Sequence, residues 1–288
     1  MTKGTLGRAF IGLSALLLAA PVVADITITL RGIEDGKQTL IEVRNGVVRM
    51  SEQGASEYSL YAKTRDKFIV VAERDGTYME IDRTMLGQMS TQMAGMQDMM
   101  AAQREQLRTQ LQNVPAEQRA MMEAQMARIL DAPPAGAAAG QRLRIEPLGE
   151  RSVAGVDCRA YALFDGTRKA ADVCMAMAGN AAFPAADYAT LTAMLDFMRA
   201  MARAAPRVGG PVDPLMMSDL QGVPLELRGA VSGDDFTLQS LSRDELDAAR
   251  FEAYKALRRL NPMQDAMAGG LPGRMPGEAA DFMMTPPP

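Results

Sequence analysis

Histidine, the residue type that most often takes part in catalysis, is absent from this sequence. The chain has 288 residues and no histidine, which is the usual general base, the usual partner of a nucleophilic Ser or Cys, and a common ligand of zinc and copper. Aspartate and glutamate are scattered without a recognisable catalytic spacing, and no glycine-rich phosphate loop precedes a helix. The composition argues against an enzyme, and no cofactor is predicted.

The two cysteines have a spacing that favours a disulfide. Cys158 and Cys174 each lie eight residues from Gly166, so a hairpin centred on that turn would place them opposite one another. In an oxidising compartment, closing a loop of this length stabilises a fold by roughly 3 kcal/mol in the chain-entropy model. A redox-active pair is more often spaced Cys-x-x-Cys, so we predict a structural bond.

Methionine is the other residue type with distinctive chemistry, and the chain has 24 of them. From Thr84 onward, apolar residues recur at steps of three, four or seven, which is typical of a long amphipathic helix. Pro115 suits the start of a second helix ending near Leu130, and a third is predicted over residues 187–203. The candidate ligand-binding residues are the methionines on the inner faces of these helices: Met85, Met89, Met93, Met96, Met100, Met122, Met126, Met194 and Met198.

These methionines allow three interpretations. An unbranched, polarisable thioether adapts to varied apolar shapes, so the stripes could bind a lipid or another apolar small molecule. Thioethers are also soft ligands, and helical pairs such as Met89 with Met93 could bind Cu(I), although no free Cys or His accompanies them. In the third interpretation, the same stripes only bury the helices against a sheet. No metal ligand is assigned on this pattern alone.

Alternation of apolar and polar residues predicts many short strands. Ile26, Ile28 and Leu30 alternate with polar residues, and the turn signals Asn45-Gly46 and Asp75-Gly76 separate further segments of this kind. The predicted strands cover residues 26–31, 40–44, 47–51, 58–63, 67–73, 77–82, 142–147, 158–164, 171–177, 224–231 and 236–241. Consecutive strands joined by tight turns favour antiparallel pairing in one curved sheet.

Strands and helices together predict a single α+β domain over residues 25–260. We expect an incomplete barrel of about 10–11 antiparallel strands, covered by the Met-rich helical hairpin and further helices. The helical lid would comprise residues 84–130 and 187–203. Ser242 and Glu245 offer a capping box for a terminal helix that ends near Leu260, and the Gly, Pro and Met residues of the segment 261–288 predict a disordered tail.

Residues 1–24 have the features of a cleavable signal peptide in the order that secretion requires. Lys3 and Arg8 give a positive start, an apolar run follows, and small side chains precede Asp25. The apolar run, residues 9–20, has 12 residues. A helix needs about 20 residues to span a bilayer, so the run is too short for an anchor. We expect cleavage after Ala24 and a periplasmic mature protein.

Short motifs in the second half resemble an uncharacterised periplasmic family of unknown function. They are the run Val-Ala-Gly-Val-Asp-Cys-Arg-Ala-Tyr at 153–161, Val173-Cys174, Asp187-Tyr188 in the third helix, and Gly-Val-Pro-Leu at 222–225. That family is similar in architecture to the LolA-type lipoprotein carriers, whose half-open antiparallel barrel is closed by helices over an apolar cavity. The resemblance covers roughly residues 25–260 and implies a LolA-like half-barrel, with no ligand contact carried over.

These features favour a non-enzymatic periplasmic binding module that holds an apolar ligand, such as a lipid or an acyl chain, between sheet and lid. Nucleic acid is not an expected partner, because the formal net charge is −4 and no long basic cluster is present. A transient contact with the membrane or with an envelope protein is compatible with this function, and the oligomeric state is left open. The alternatives are a Met-rich periplasmic copper(I)-binding protein and a purely structural or interaction domain.

Overall fold

Twelve β-strands form one continuous sheet in the computed structural model, which describes residues 25–112, 143–204, 214–229, 233 and 235–261. The strands are β1 (Ile26–Gly32), β2 (Gln38–Arg44), β3 (Val47–Glu52), β4 (Glu57–Ala62), β5 (Lys67–Ala72), β6 (Thr77–Asp82), β7 (Arg144–Val153), β8 (Val156–Asp165), β9 (Arg168–Ala176), β10 (Val223–Arg228), β11 (Phe236–Ser242) and β12 (Arg258–Leu260). Eleven of them correspond to predicted strands, and β12 was not predicted. The predicted α+β class is confirmed.

The sheet is open, with the order β12-β6-β5-β4-β3-β2-β1-β11-β10-β9-β8-β7. Strands β1 to β6 form a meander, and β1 also pairs antiparallel with β11, which joins the two halves of the chain. All neighbours are antiparallel except β12, which runs parallel to β6. The sheet is therefore mixed at this edge, whereas an entirely antiparallel one was expected.

The predicted turn Asn45-Gly46 is confirmed as the connection between β2 and β3. Both residues have positive φ, 47° for Asn45 and 76° for Gly46, and Arg44 pairs with Val47 across them. Two consecutive positive φ values characterise the tight hairpin turns whose twist matches that of the strands, and Asn-Gly adopts them at little cost. This turn sets the register of the first hairpins, which places Val43 opposite Val48.

Four helices accompany the sheet in the described part of the chain: α1 (Arg83–Gln112), α2 (Ala185–Ala204), α3 (Pro214–Met217) and α4 (Ala249–Glu252). α1 follows β6 directly, and the carboxylate of Asp82 accepts a hydrogen bond from the Met85 amide at 2.9 Å, an N-terminal cap. The predicted partner of α1 in a helical hairpin lies outside the described residues. None of the described helices combines the length and the hydropathy that a bilayer span requires.

The largest apolar cluster lies between α2 and one face of the sheet. Leu191, Met194, Leu195 and Phe197 of α2 are buried, with Phe197 fully inaccessible. They pack in one cluster with side chains of β1 to β5, among them Ile26, Ile28, Val43, Val48, Tyr61 and Phe68. Burying a large apolar side chain contributes about 1.5–3 kcal/mol, so this contact holds α2 in place.

The C-terminal segment covers the opposite face of the sheet. Along β5, Phe68 belongs to the α2 cluster, whereas Ile69 packs with Phe251 and Tyr254, and neighbouring side chains of a strand point to opposite faces. The terminal helix that was predicted to run to about Leu260 is much shorter in the structure. Ser242 pairs with Thr27 in the sheet and cannot cap a helix, and the chain forms only α4, a 3-10 turn and β12. This irregular path lets both aromatic rings reach the sheet.

A third apolar cluster buries the second half of the sheet. In β9, Val173 and Met175 pack with Leu215 and Leu220 in and after α3, whereas Cys174 packs in the large α2 cluster. Because alternate side chains of β9 face opposite ways and all three are fully inaccessible, this strand is covered on both faces.

Residues 1–24 and 262–288, which contain the predicted signal peptide and all but Asn261 of the predicted tail, lie outside the described residues.

Candidate functional site

The predicted methionine stripe on α1 is only partly buried. Met85 and Met89 are half-buried, but Met96 is 45% exposed and Met100 is 54% exposed. Met93 is in α1, but its side chain is not described. The inner-face assignment of Met96 and Met100, which would place them against the sheet, is therefore wrong. A 30-residue helix is about 45 Å long; among the described residues α1 contacts β6 and α2, and Leu86, near its start, is buried in the large apolar cluster.

The remaining candidate methionines divide into two groups. Met194 is 3% exposed and belongs to the large cluster, and Met198 packs against that cluster from the same helix. Both therefore serve as core contacts between α2 and the sheet. Met122 and Met126 lie outside the described residues. The structure thus brings together Met194 and Met198 but places Met96 and Met100 away from them, on exposed helix surface.

Phe197 is the centre of the contact between α2 and the sheet. Its ring centroid lies 5.7 Å from that of Tyr61 and 6.1 Å from that of Phe68, and it stacks with the latter ring. Tyr61 and Phe68 face each other across β4 and β5, so they present one aromatic surface to the helix. Aromatic pairs of this geometry add about 0.5–1.5 kcal/mol beyond the area that they bury.

A polar network surrounds this aromatic cluster at the start of α1. Arg83, the first residue of α1, places its guanidinium carbon 4.8 Å from the centroid of the Phe197 ring. Its Nε donates to the carboxylate of Asp66 at 2.9 Å, and the Tyr61 hydroxyl donates to the same carboxylate at 2.9 Å. One carboxylate therefore links strand β4, helix α1 and, through Arg83, helix α2.

The network shifts the ionisation of its two acidic members in opposite directions. Burial, followed by the hydrogen bond to Asp66 and its negative charge, raises the pKa of Tyr61 to about 12. Burial alone would raise the pKa of Asp66, but the hydrogen bonds donated by Arg83 and Tyr61 outweigh it, and the pKa lies below its ordinary value. At neutral pH the phenol remains a donor and the carboxylate remains charged, so neither is poised for proton transfer.

A charged cleft of about 340 Å³ opens beside this network. It is lined by Arg83 of α1, by Asp196, Arg199, Ala200 and Arg203 of α2, and by Asp219 and Gln221 after α3. Arg199 is 5% exposed; it donates to the Asp196 carboxylate at 3.0 Å and to the carbonyl oxygen of Leu220 at 2.5 Å. Arg203 reaches Asp219 at 3.4 Å. Three arginines therefore line one opening.

The residues that line this cleft were not predicted from the sequence. Asp196, Arg199 and Arg203 recur at steps of three and four on an otherwise apolar helix, and that spacing could have identified one charged row. The pairing of β4, β5 and β6 brings Arg83 next to Asp66 and to the edge of the cleft, and no local pattern encodes that pairing. The site therefore depends on the register of the sheet.

The predicted disulfide between Cys158 and Cys174 is confirmed, with 5.6 Å between the two Cα atoms. The cysteines are not directly opposite, because Cys174 pairs with Ala160. The β8–β9 turn is centred between Gly166 and Thr167 rather than on Gly166, and an irregularity between Leu163 and Phe164 shifts the register by one further residue, so the bond joins diagonal positions. Beside it lies a second cleft, of about 450 Å³, whose lining includes Arg151, Asp157, Arg159 and Asn180.

In the part of the chain that the structure describes, no group of three or more His, Cys, Asp or Glu side chains is arranged to hold a metal ion.

No protein-family model matches the chain, and no curated protein matches it. Among solved structures, the chain is similar to the crystal structure of an uncharacterized conserved protein from Thermus thermophilus. The identity is 9% and the TM-score 0.35, over 83% of this chain and 91% of that chain.

Proposed function

We propose that this chain is a non-enzymatic periplasmic binding module that holds an apolar ligand, a lipid or an acyl chain, between the sheet and its helices. The observation that carries the proposal is the position of α2. This helix packs on the large apolar face of an open sheet through Leu191, Met194, Phe197 and Met198. An apolar chain that entered beneath α2 would meet the same surface that the helix now covers.

Methionine suits the helical side of such a site. Met194, Met198 and Met201 lie at steps of four and three on α2, next to or within the buried cluster. Because the thioether side chain is unbranched and flexible, it repacks around ligands of different shape at lower cost than a branched side chain does. The helix could therefore exchange sheet contacts for ligand contacts without losing its apolar environment.

Secretion to the periplasm and a LolA-like architecture belong to the same proposal. The predicted signal peptide, residues 1–24, would direct export, and the disulfide between Cys158 and Cys174 is of the kind that forms in oxidising compartments. An open sheet covered by helices is also the architecture that a LolA-type carrier requires. Loading or release would then involve transient contact with the membrane or with an envelope protein.

Dye displacement tests the apolar site. The mature protein should bind a fluorescent apolar dye with micromolar affinity, and oleate should displace the dye. Phe197→Ala removes the ring that fills the α2 interface, so it should increase the amount of dye bound, while Met99→Ala on the exposed face of α1 should leave it unchanged. Absence of dye binding by the folded wild type, together with no co-purifying lipid in native mass spectrometry, would overturn the proposal.

Copper(I) binding is the second candidate function, and one observation favours it. Met96, Met99 and Met100 are exposed on α1, at 45%, 68% and 54%, and Met99 and Met100 follow Met96 by three and four positions, on the next turn. Anaerobic titration with Cu(I) and a competing chelator measures this affinity directly. Tight one-to-one binding that is lost in the triple Met→Leu variant would support copper handling, and binding no tighter than in that variant would exclude it.

A further inference from the structure

The cleft between α1 and α2 has the composition of an anion site. Arg83, Arg199 and Arg203 line it together with two carboxylates, Asp196 and Asp219, so the described lining carries one net positive charge. The hydrogen bond from Arg83 to Asp66 uses Nε, which leaves the two terminal nitrogens outside that bond. Guanidinium groups match the oxygens of a phosphate in pairs, and three of them can surround one phosphate group.

Arg199 is the residue whose environment is hardest to explain without a ligand. Its side chain is 5% exposed, yet its acidic partner, Asp196, is 55% exposed. The Nε atom is buried and has no hydrogen-bond partner among the described residues. A buried charge with incomplete hydrogen bonding is costly, and an anion in the cleft would reduce that cost.

The carboxylates of the cleft hold the arginines only weakly. Asp219 is 62% exposed and lies 3.4 Å from Arg203, which is 56% exposed. Ion pairs at such exposure contribute about 0–1 kcal/mol, so a phosphate can compete with them. Asp196 is likewise about half exposed, and it can turn toward solvent while Arg199 stays buried.

The cleft adjoins the apolar surface beneath α2. Ala200 lines the cleft and also packs against the large apolar cluster, and the Arg83 guanidinium lies over the ring of Phe197 at the centre of that cluster. A ligand with a phosphate among the arginines would therefore place a neighbouring hydrocarbon chain against Phe197 and the methionines of α2.

We propose that this cleft binds the phosphate group of an amphiphile whose hydrocarbon chain inserts between α2 and the sheet, where it displaces side-chain contacts of the large apolar cluster. The inference rests on the proposed apolar-ligand function and narrows it to anionic, phosphate-bearing amphiphiles. Arg203 is the residue to test, because it is exposed and its substitution does not open the core. Arg168 is a matched control: it is 67% exposed and pairs with Asp165 at 3.5 Å, on the β8–β9 hairpin.

Calorimetric titration of the mature protein with decyl phosphate, decanol and inorganic phosphate tests the proposal. Decyl phosphate should bind more tightly than either of the other two. Arg203→Gln should weaken decyl phosphate binding about tenfold, since it removes a charge-assisted contact, and should leave decanol binding unchanged. Asp219→Asn should strengthen decyl phosphate binding about threefold by removing a competing carboxylate. Arg168→Gln should change none of these affinities.

The possible failures separate the two proposals. If decanol and decyl phosphate bind equally and Arg203→Gln affects neither, the apolar site stands and the phosphate site is wrong. If inorganic phosphate binds as tightly as decyl phosphate and depends on Arg203, the cleft recognises free phosphate and the amphiphile is wrong. If none of the three probes binds to folded protein, both the cleft assignment and the apolar-ligand function are overturned.

Discussion

The guanidinium of Arg83 lies over the ring of Phe197, with 4.8 Å between the guanidinium carbon and the ring centroid. This contact joins the first residue of α1 to the middle of α2, and the Asp66 carboxylate holds Arg83 in place from the sheet side. Cation–π contacts contribute about 0.5–2 kcal/mol, depending on how far the pair is removed from water. Displacement of α2 from the sheet would therefore also disturb the base of α1.

Phe197 should be among the most sensitive core positions. Phe197→Ala is expected to lower the free energy of unfolding by about 3–5 kcal/mol, because it leaves a cavity against Tyr61 and Phe68 and removes the Arg83 stack. Urea denaturation followed by circular dichroism measures this loss. Met99→Ala, at a position 68% exposed, is the control and should change stability by less than about 0.5 kcal/mol. Equal effects of the two substitutions would contradict the structure.

The disulfide should contribute measurably to stability. Replacing both cysteines by alanine, Cys158→Ala with Cys174→Ala, frees a loop whose ends are 16 residues apart and should lower the unfolding free energy by about 3 kcal/mol. Peptide mass spectrometry of the oxidised wild type should recover the two cysteines as one linked pair. Recovery of both thiols as free groups in protein freshly prepared without reductant would refute the bond.

Asp187 should destabilise the folded state as pH rises. Asp187 is 2% exposed, and its Oδ2 atom has no hydrogen-bond partner within the described ranges. Burial raises the pKa of Asp187, and the negative charge of Asp25 raises it further. The positive charge of Arg243 opposes this shift. The protonated carboxyl is therefore favoured in the folded protein, and the stability it contributes at low pH is lost as pH rises through the raised folded-state pKa.

Asp187→Asn removes this titration. The stability of the variant relative to wild type should increase as the pH rises above about 3.9, the ordinary pKa of an Asp side chain, as measured by urea denaturation at several pH values. Asp244→Asn, at an exposed position, should show no such trend. A stability difference for Asp187→Asn that does not change with pH would show that folding does not raise the pKa of Asp187.

The C-terminal segment should depend on a salt bridge to the buried carboxylate of Glu42. Glu42 is 2% exposed and accepts hydrogen bonds from Arg250 at 2.5 Å and from Arg49 at 3.0 Å. Arg250→Ala leaves this carboxylate with one cationic partner among the described residues and should cost about 1–3 kcal/mol. Lys255→Ala breaks an exposed pair with Glu252 and is the control, with an expected cost below about 1 kcal/mol. Thermal denaturation of both variants distinguishes them.

Methionine oxidation should follow exposure. Met96, Met99 and Met100 are about half exposed or more, whereas Met175 is fully inaccessible and Met194 is 3% exposed. Limited peroxide treatment followed by peptide mass spectrometry should find sulfoxide first at the three α1 positions. Oxidation of Met194 at the same rate would indicate that α2 leaves the sheet frequently.

The sequence by itself determined the local elements of this protein. Alternating residues predicted β1, the Asn45-Gly46 pair predicted the first tight turn, apolar spacing predicted α2, and the symmetric cysteines predicted the disulfide. Each of these features depends on residues within about 20 positions of one another, where backbone preference and side-chain periodicity act directly.

Only the tertiary structure decided how these elements meet. The pairing of β1 with β11, the diagonal placement of Cys158, the return of β12 to β6 and the exposure of Met96 and Met100 were not predictable from local patterns. The sequence of an amphipathic helix shows which of its faces is apolar. It does not show the length of the surface on which the helix packs. The convergence of Arg83, Arg199 and Arg203 arises in the same way, because contacts between distant segments are selected by the free energy of the whole fold.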